Sequence, residues 1–115
     1  MPIITVYSDI TYTSDSPIHV WIDLTDASGK VSTYSFGPAE PGSPWGAGFV
    51  YPIEDNTRAD ISSSWDITQE QYDQMKAEGD RLRANPPDYD VTGFYNENCV
   101  TIADQIMEAG GMNLG

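Results

Sequence analysis

The chain holds one cysteine and one histidine, Cys99 and His19. A lone cysteine excludes an internal disulfide or a cysteine-rich zinc site, and a lone histidine excludes a multi-histidine metal centre. What the two can do together is nucleophilic chemistry, in which a thiolate attacks a carbonyl and an imidazole takes and returns the proton. Cys99 follows Asn98, a residue type that caps helices, and precedes the helix-compatible run Val100-Thr101-Ile102-Ala103-Asp104. At the first position of a helix, free backbone N–H groups and the positive end of the dipole favour a thiolate and lower the thiol pKa. The same N–H groups can donate to a developing oxyanion. The plainer reading keeps Cys99 as a small buried hydrophobe and His19 as a structural side chain at a strand edge.

His19 lies in Ile18-His19-Val20-Trp21-Ile22-Asp23-Leu24, a strand-like run in which alternation puts His19, Trp21 and Asp23 on one face. The turn Asp26-Ala27-Ser28-Gly29-Lys30 leads into a partner strand, Val31 to Phe36. Pairing across that hairpin places Thr33 and Ser35 on the face of His19. A catalytic histidine wants a third polar group to fix its tautomer. Ser35 is the candidate, because Asp23 lies about 13 Å further along the strand.

The remaining elements must hold these residues. Ile3 to Tyr7 is β-branched and reads as a first strand. Gly37 to Pro52 carries eight Gly and Pro residues and reads as a long surface loop, with Trp45 placed to line a substrate groove or form a lid. Glu54, Asp55 and Asp60 do not follow calcium-loop spacing and read as solvated loop acids. Arg58 to Trp65 suits a further strand. Thr68 and Gln71 form a capping box for a helix with Tyr72, Met75 and Leu82 on its apolar stripe, ended by Asn85-Pro86-Pro87. Gly79 weakens that helix. After an extended or irregular lead-in, Asp88 to Glu97, Asn98 caps a second helix, 99–109, with Val100, Ala103, Ile106 and Met107 as its buried stripe and Gly110-Gly111 as its stop.

These elements form one α+β domain over residues 1–115, a small antiparallel sheet packed against two or three helices. The 39% hydrophobic and 11% aromatic content suffices for a single core. Five Lys and Arg against eighteen Asp and Glu give a charge of −13, which disfavours nucleic acid and anionic membrane surfaces as partners. No apolar run reaches the about 18–20 residues that span a bilayer. The N-terminus lacks the basic start and apolar run of a signal peptide. An extracellular role therefore implies a route without a cleaved signal, or excision from a longer chain. The residues call for no metal and no cofactor.

The block Phe94-Tyr95-Asn96-Glu97-Asn98-Cys99-Val100-Thr101-Ile102-Ala103-Asp104, followed by Ala109-Gly110, resembles the nucleophile helix of circularly permuted papain-like enzymes. That group includes permuted NlpC-type peptidases and the lecithin:retinol acyltransferase-like proteins. In it the histidine strand comes first and the cysteine helix last, the order seen here. The segments Tyr34-Ser35-Phe36-Gly37-Pro38 and Ile67-Thr68-Gln69-Glu70-Gln71-Tyr72 also resemble small toxin domains of secretion-system and polymorphic toxin proteins. The resemblance implies Cys99 as nucleophile, His19 as general base and Tyr95 near the oxyanion; Asn98, otherwise a cap, and Trp45 of the Gly/Pro loop are the further candidates for oxyanion or substrate contact. The third residue of such families is often His, Glu, Gln or Asn, whereas the second strand here offers Tyr34 and Ser35.

The resemblance implies a cysteine amidase acting on peptidoglycan stem peptides. It would be a bacterial antagonistic effector, made in the cytoplasm, delivered to the periplasm of a target cell and neutralised in its producer by an immunity protein. The same fold also admits an acyltransferase, lipase or protein deamidase. The residues alone equally admit a non-catalytic acidic binding module in which Cys99 and His19 never meet.

Overall fold

The computed structural model describes residues 1–10, 19–92 and 97–112. Tyr95 and Asn96 lie outside the described residues. The elements run β1 (Ile3–Asp9), β2 (His19–Thr25), β3 (Val31–Pro38), β4 (Trp45–Gly46), β5 (Gly48–Tyr51), a 3-10 turn (Asn56–Arg58), β6 (Ile61–Asp66), α1 (Gln69–Ala84), β7 (Tyr89–Asp90) and α2 (Cys99–Ala109). The architecture is α+β, with His19 opening an early strand and Cys99 opening the last helix.

Five strands form one antiparallel sheet in the order β5-β3-β2-β1-β6. Side chains alternate across it. On one face Ile4, Val6, Ile22, Leu24, Tyr34, Phe36 and Val50 meet Tyr72, Met75 and Leu82 of α1 and Ile102, Ile106 and Met107 of α2. Each such side chain contributes about 1.5–3 kcal/mol by leaving water. The β2–β3 hairpin is closed by Asp26, whose carboxylate accepts from the N–H groups of Ser28 and Lys30, and by Gly29 at φ +93°. Both helices begin with a reciprocal capping box, Thr68 with Gln71 and Asn98 with Thr101.

One feature of the ladder positions the site. The β2–β3 pairing runs from Thr25↔Val31 to Ile22↔Tyr34, after which β3 pairs with β5 from Ser35↔Tyr51 to Pro38↔Gly48. The first residues of β2 keep their pairing to β1, with Asp9↔His19 and Ser8↔Val20. The sheet thus opens on the β3 side beside His19 and Val20.

Three expectations need correction. The stretch 37–52 is not one loop, since it holds the end of β3, all of β4 and all of β5. Its glycines include Gly48, where a Cβ would come within 2.2 Å of the Pro87 carbonyl and 2.5 Å of the Phe36 ring. That glycine serves close packing rather than a turn. The strand expected from Arg58 begins at Ile61, because Asp55 caps the 3-10 turn through the N–H of Thr57. The extended part of the lead-in to α2 is β7, as one of the two readings had it, and it pairs with β4. In α2 the buried position is Ile102, 2% exposed, whereas Val100 is 43% exposed. Gly79, placed in α1, packs against Tyr34, and a Cβ there would lie 2.5 Å from that ring.

Candidate active site

His19 is the first residue of β2 and shares the odd-numbered face with Trp21 and Asp23, away from the helices. Its ring stacks on Trp21 at 5.3 Å between centroids, and Trp21 stacks on Tyr7 at 5.4 Å. Trp21 is fully buried on this face, where residues 54–58 roof it beside the Tyr7 and His19 rings. Asn56 accepts from the indole N–H at 2.7 Å and donates to Asp23 at 3.1 Å. The Arg58 guanidinium stands 5.8 Å from the indole centroid.

The Nε2 of His19 lies 2.8 Å from Ser35 Oγ and 3.2 Å from Glu54 Oε2. The Ser35 hydroxyl in turn donates to Glu54 Oε2 at 2.8 Å. Arg58 closes the cluster, with Nη1 3.2 Å from Glu54 Oε1 and Nε 3.1 Å from Asp9. Ser35, the residue the strand register singled out, is therefore bonded to His19. Glu54 was read as a solvated acid and is instead a bonded neighbour of the imidazole. The i,i+4 spacing of Glu54 and Arg58 was the one local sign of it.

Burial lowers the His19 pKa, against the opposing pull of the Glu54 carboxylate, and Arg58 pushes the same way as burial. The ring is thus neutral near pH 7, the form a base needs. For Glu54, burial acts to raise the pKa. Hydrogen bonds from the Ser35 hydroxyl and the Asp55 N–H, with the charges of His19 and Arg58, outweigh it and hold the carboxyl below its ordinary value.

Cys99 opens α2 and is 8% exposed. Asn98 uses its side-chain oxygen to accept the N–H of Thr101 at 3.0 Å, and the Thr101 hydroxyl accepts the Asn98 N–H at 2.9 Å. That oxygen is engaged in capping. Burial raises the Cys99 pKa, and the backbone N–H groups of Val20, Val100 and Cys99 itself act to lower it. Burial prevails. The expected lowering by the helix start is overturned, because the donors are present but the thiol has been taken out of water.

The donor from Val20 locates the thiol, since Val20 follows His19 in β2 and lies where the sheet has opened. The structure thus brings Cys99 to the backbone beside His19. The imidazole itself faces Ser35 and Glu54 on the sheet face opposite the helices. Sequence reasoning missed Tyr89, which packs on Phe36 at 5.9 Å and whose pKa is raised by burial and then by the Cys99 charge. Trp45, 71% exposed, pairs through its backbone with Asp90, next to Tyr89.

Comparisons with protein families, with curated proteins and with solved structures find no match to this chain. Among the described residues, no group of three or more His, Cys, Asp or Glu side chains is placed to hold a metal ion. No helix among them is long and apolar enough to cross a membrane.

Proposed function

We propose that the chain is a cysteine hydrolase that cleaves an amide bond, with Cys99 as nucleophile and His19 as general base. The observation that carries this reading is the thiol at the N-terminus of α2 meeting the N–H of Val20, the residue next to a neutral histidine. In the reaction His19 takes the thiol proton as the sulfur attacks the carbonyl carbon. The N–H groups at the start of α2 donate to the tetrahedral oxyanion. His19 then gives its proton to the leaving amine, and a water deprotonated by His19 hydrolyses the thioester. Because burial raises the thiol pKa, the resting thiol is protonated, and in this reading His19 takes its proton as substrate enters. The resemblance to permuted papain-like enzymes supplies the substrate class, the stem peptides of peptidoglycan. It also supplies the role, a bacterial effector paired with an immunity protein.

The test joins labelling to turnover. Iodoacetamide reports Cys99 alone, because it is the one thiol. His19→Ala should move the pH profile of alkylation upward, and digestion of purified sacculi should fall by about 10²–10⁴-fold in that variant. Cys99→Ala should abolish digestion. A thioester that persists on Cys99 would instead mark acyl transfer. Alkylation that waits for unfolding and ignores His19 ends the hydrolase reading.

A specific observation favours a second reading, a non-catalytic acidic binding module. The thiol is buried with a raised pKa, and the imidazole is bonded to Ser35 and Glu54 across the sheet from the helices. In that case both single variants keep function, and binding to a basic partner weakens with salt.

A further inference from the structure

The hydrogen bonds around His19 bear on which ring nitrogen carries the proton. An ionised carboxylate only accepts, and a hydroxyl has one proton to give. Ser35 gives its proton to Glu54 Oε2 at 2.8 Å, so toward His19 Nε2, also at 2.8 Å, its oxygen is an acceptor. The other neighbour of Nε2 is Glu54 Oε2 itself, at 3.2 Å. Both partners of Nε2 accept, so Nε2 must donate. A neutral imidazole has one N–H, and Nδ1 is left with its lone pair.

The carboxylate is also fixed from behind. Its Oε1 receives the N–H of Asp55 at 3.1 Å and lies 3.2 Å from Arg58 Nη1, while Arg58 is tied to Asp9. We infer that Glu54, directly and through Ser35, is a positioning residue that locks His19 as the Nε2–H tautomer and makes Nδ1 its basic atom. When Nδ1 takes a proton, the imidazolium faces the Glu54 carboxylate, which stabilises the charge without itself being protonated. The charged groups around the ring are Glu54, Arg58 and Asp9. The bearing of this lock on catalysis rests on the hydrolase reading, whereas the lock itself does not.

The single histidine makes the test direct. In the full ¹⁵N-labelled chain, above the His19 titration, long-range ¹H–¹⁵N correlations should show a pyrrole-like Nε2 and a pyridine-like Nδ1. A hydrogen bond to a charged acceptor favours that tautomer by about tenfold or more. Glu54→Ala should bring the ratio toward unity and move the His19 titration to lower pH. Ser35→Ala, which keeps the carboxylate, should weaken the preference by less. A protonated Nδ1 in the native chain overturns the inference, as does a tautomer ratio unchanged in folded Glu54→Ala and Ser35→Ala chains. If Glu54→Ala frees the tautomer while Cys99 alkylation ignores His19→Ala, the lock stands and the hydrolase reading falls. If both respond, Glu54→Ala should also lower kcat with KM unchanged.

Discussion

The two faces of the central sheet bury their aromatic side chains by different means. On the helix face, Ile22, Leu24, Tyr34 and Phe36 are covered by α1 and α2. The force there is removal of apolar surface from water, which is nearly indifferent to pH and salt. On the other face no α-helix among the described residues covers Trp21. A five-residue segment does so, with an amide on the indole N–H, a guanidinium above the ring and a carboxylate bonded to the adjacent histidine. That face has the strength of its hydrogen bonds and ion pairs, and it carries their sensitivity to protonation. A polar roof thus seals a tryptophan as fully as a helix would, and it places titratable groups around His19 as it does so.

The largest stability loss should come from the helix face. Ile102→Ala should cost about 2–5 kcal/mol in urea unfolding, through lost transfer energy and the cavity left behind. On the roofed face, Asn56→Ala removes the indole's acceptor and one donor to Asp23, and should cost about 1–3 kcal/mol. A loss there as large as at Ile102 would show that the roof, and not the helices, dominates. The Asn98→Ala cap variant should cost about 1 kcal/mol, through α2.

Acid should separate the faces. The folded pKa values of His19 and Glu54 both lie below their unfolded values of about 6.5 and 4.3. In each window the unfolded chain binds more protons, so stability rises with pH. The His19 contribution is complete above about pH 6.5 and is lost as pH falls through its folded pKa. The Glu54 contribution is complete above about pH 4.3 and is lost on further acidification. Melting temperature against pH should lose its upper slope in His19→Ala and part of its lower slope in Glu54→Gln, the rest belonging to Asp26, Asp55 and Asp80, whose carboxyls are also held below their ordinary values, while Ile102→Ala shifts the whole curve without changing its shape. The smallest effect belongs to solvent. Val100→Ala should move stability by less than about 0.5 kcal/mol, although it is separated from Ile102 by a single residue.

Much of the frame was legible because it is written in local chemistry. The alternating run through Trp21, the Asp26 turn, and the Thr68–Gln71 and Asn98–Thr101 boxes each act within a few residues. Strand register then carried Ser35 to His19 across the hairpin. What was hidden depends on packing. Gly48 looked like loop punctuation because nothing in the sequence announces that Phe36 and the Pro87 carbonyl crowd it. Val100 was assigned to the core because the phase of a short helix is set by its cap and by the layer it meets. Glu54 was hidden because its partner lies 35 residues back along the chain, at the mouth of a strand.

The sequence by itself determined that a histidine strand lies early and a cysteine helix last, that Asn98 starts that helix, and that Ser35 shares the face of His19. These follow from dihedral preferences, side-chain alternation and caps, which act over a few residues. Only the tertiary structure decided that the thiol is buried enough to outweigh its helix-start donors. It also decided that the thiol touches the backbone next to His19 while the ring is held by Ser35 and Glu54. Burial and hydrogen-bond partnership belong to the packed molecule, because both are set by atoms far apart in the chain that the fold brings together.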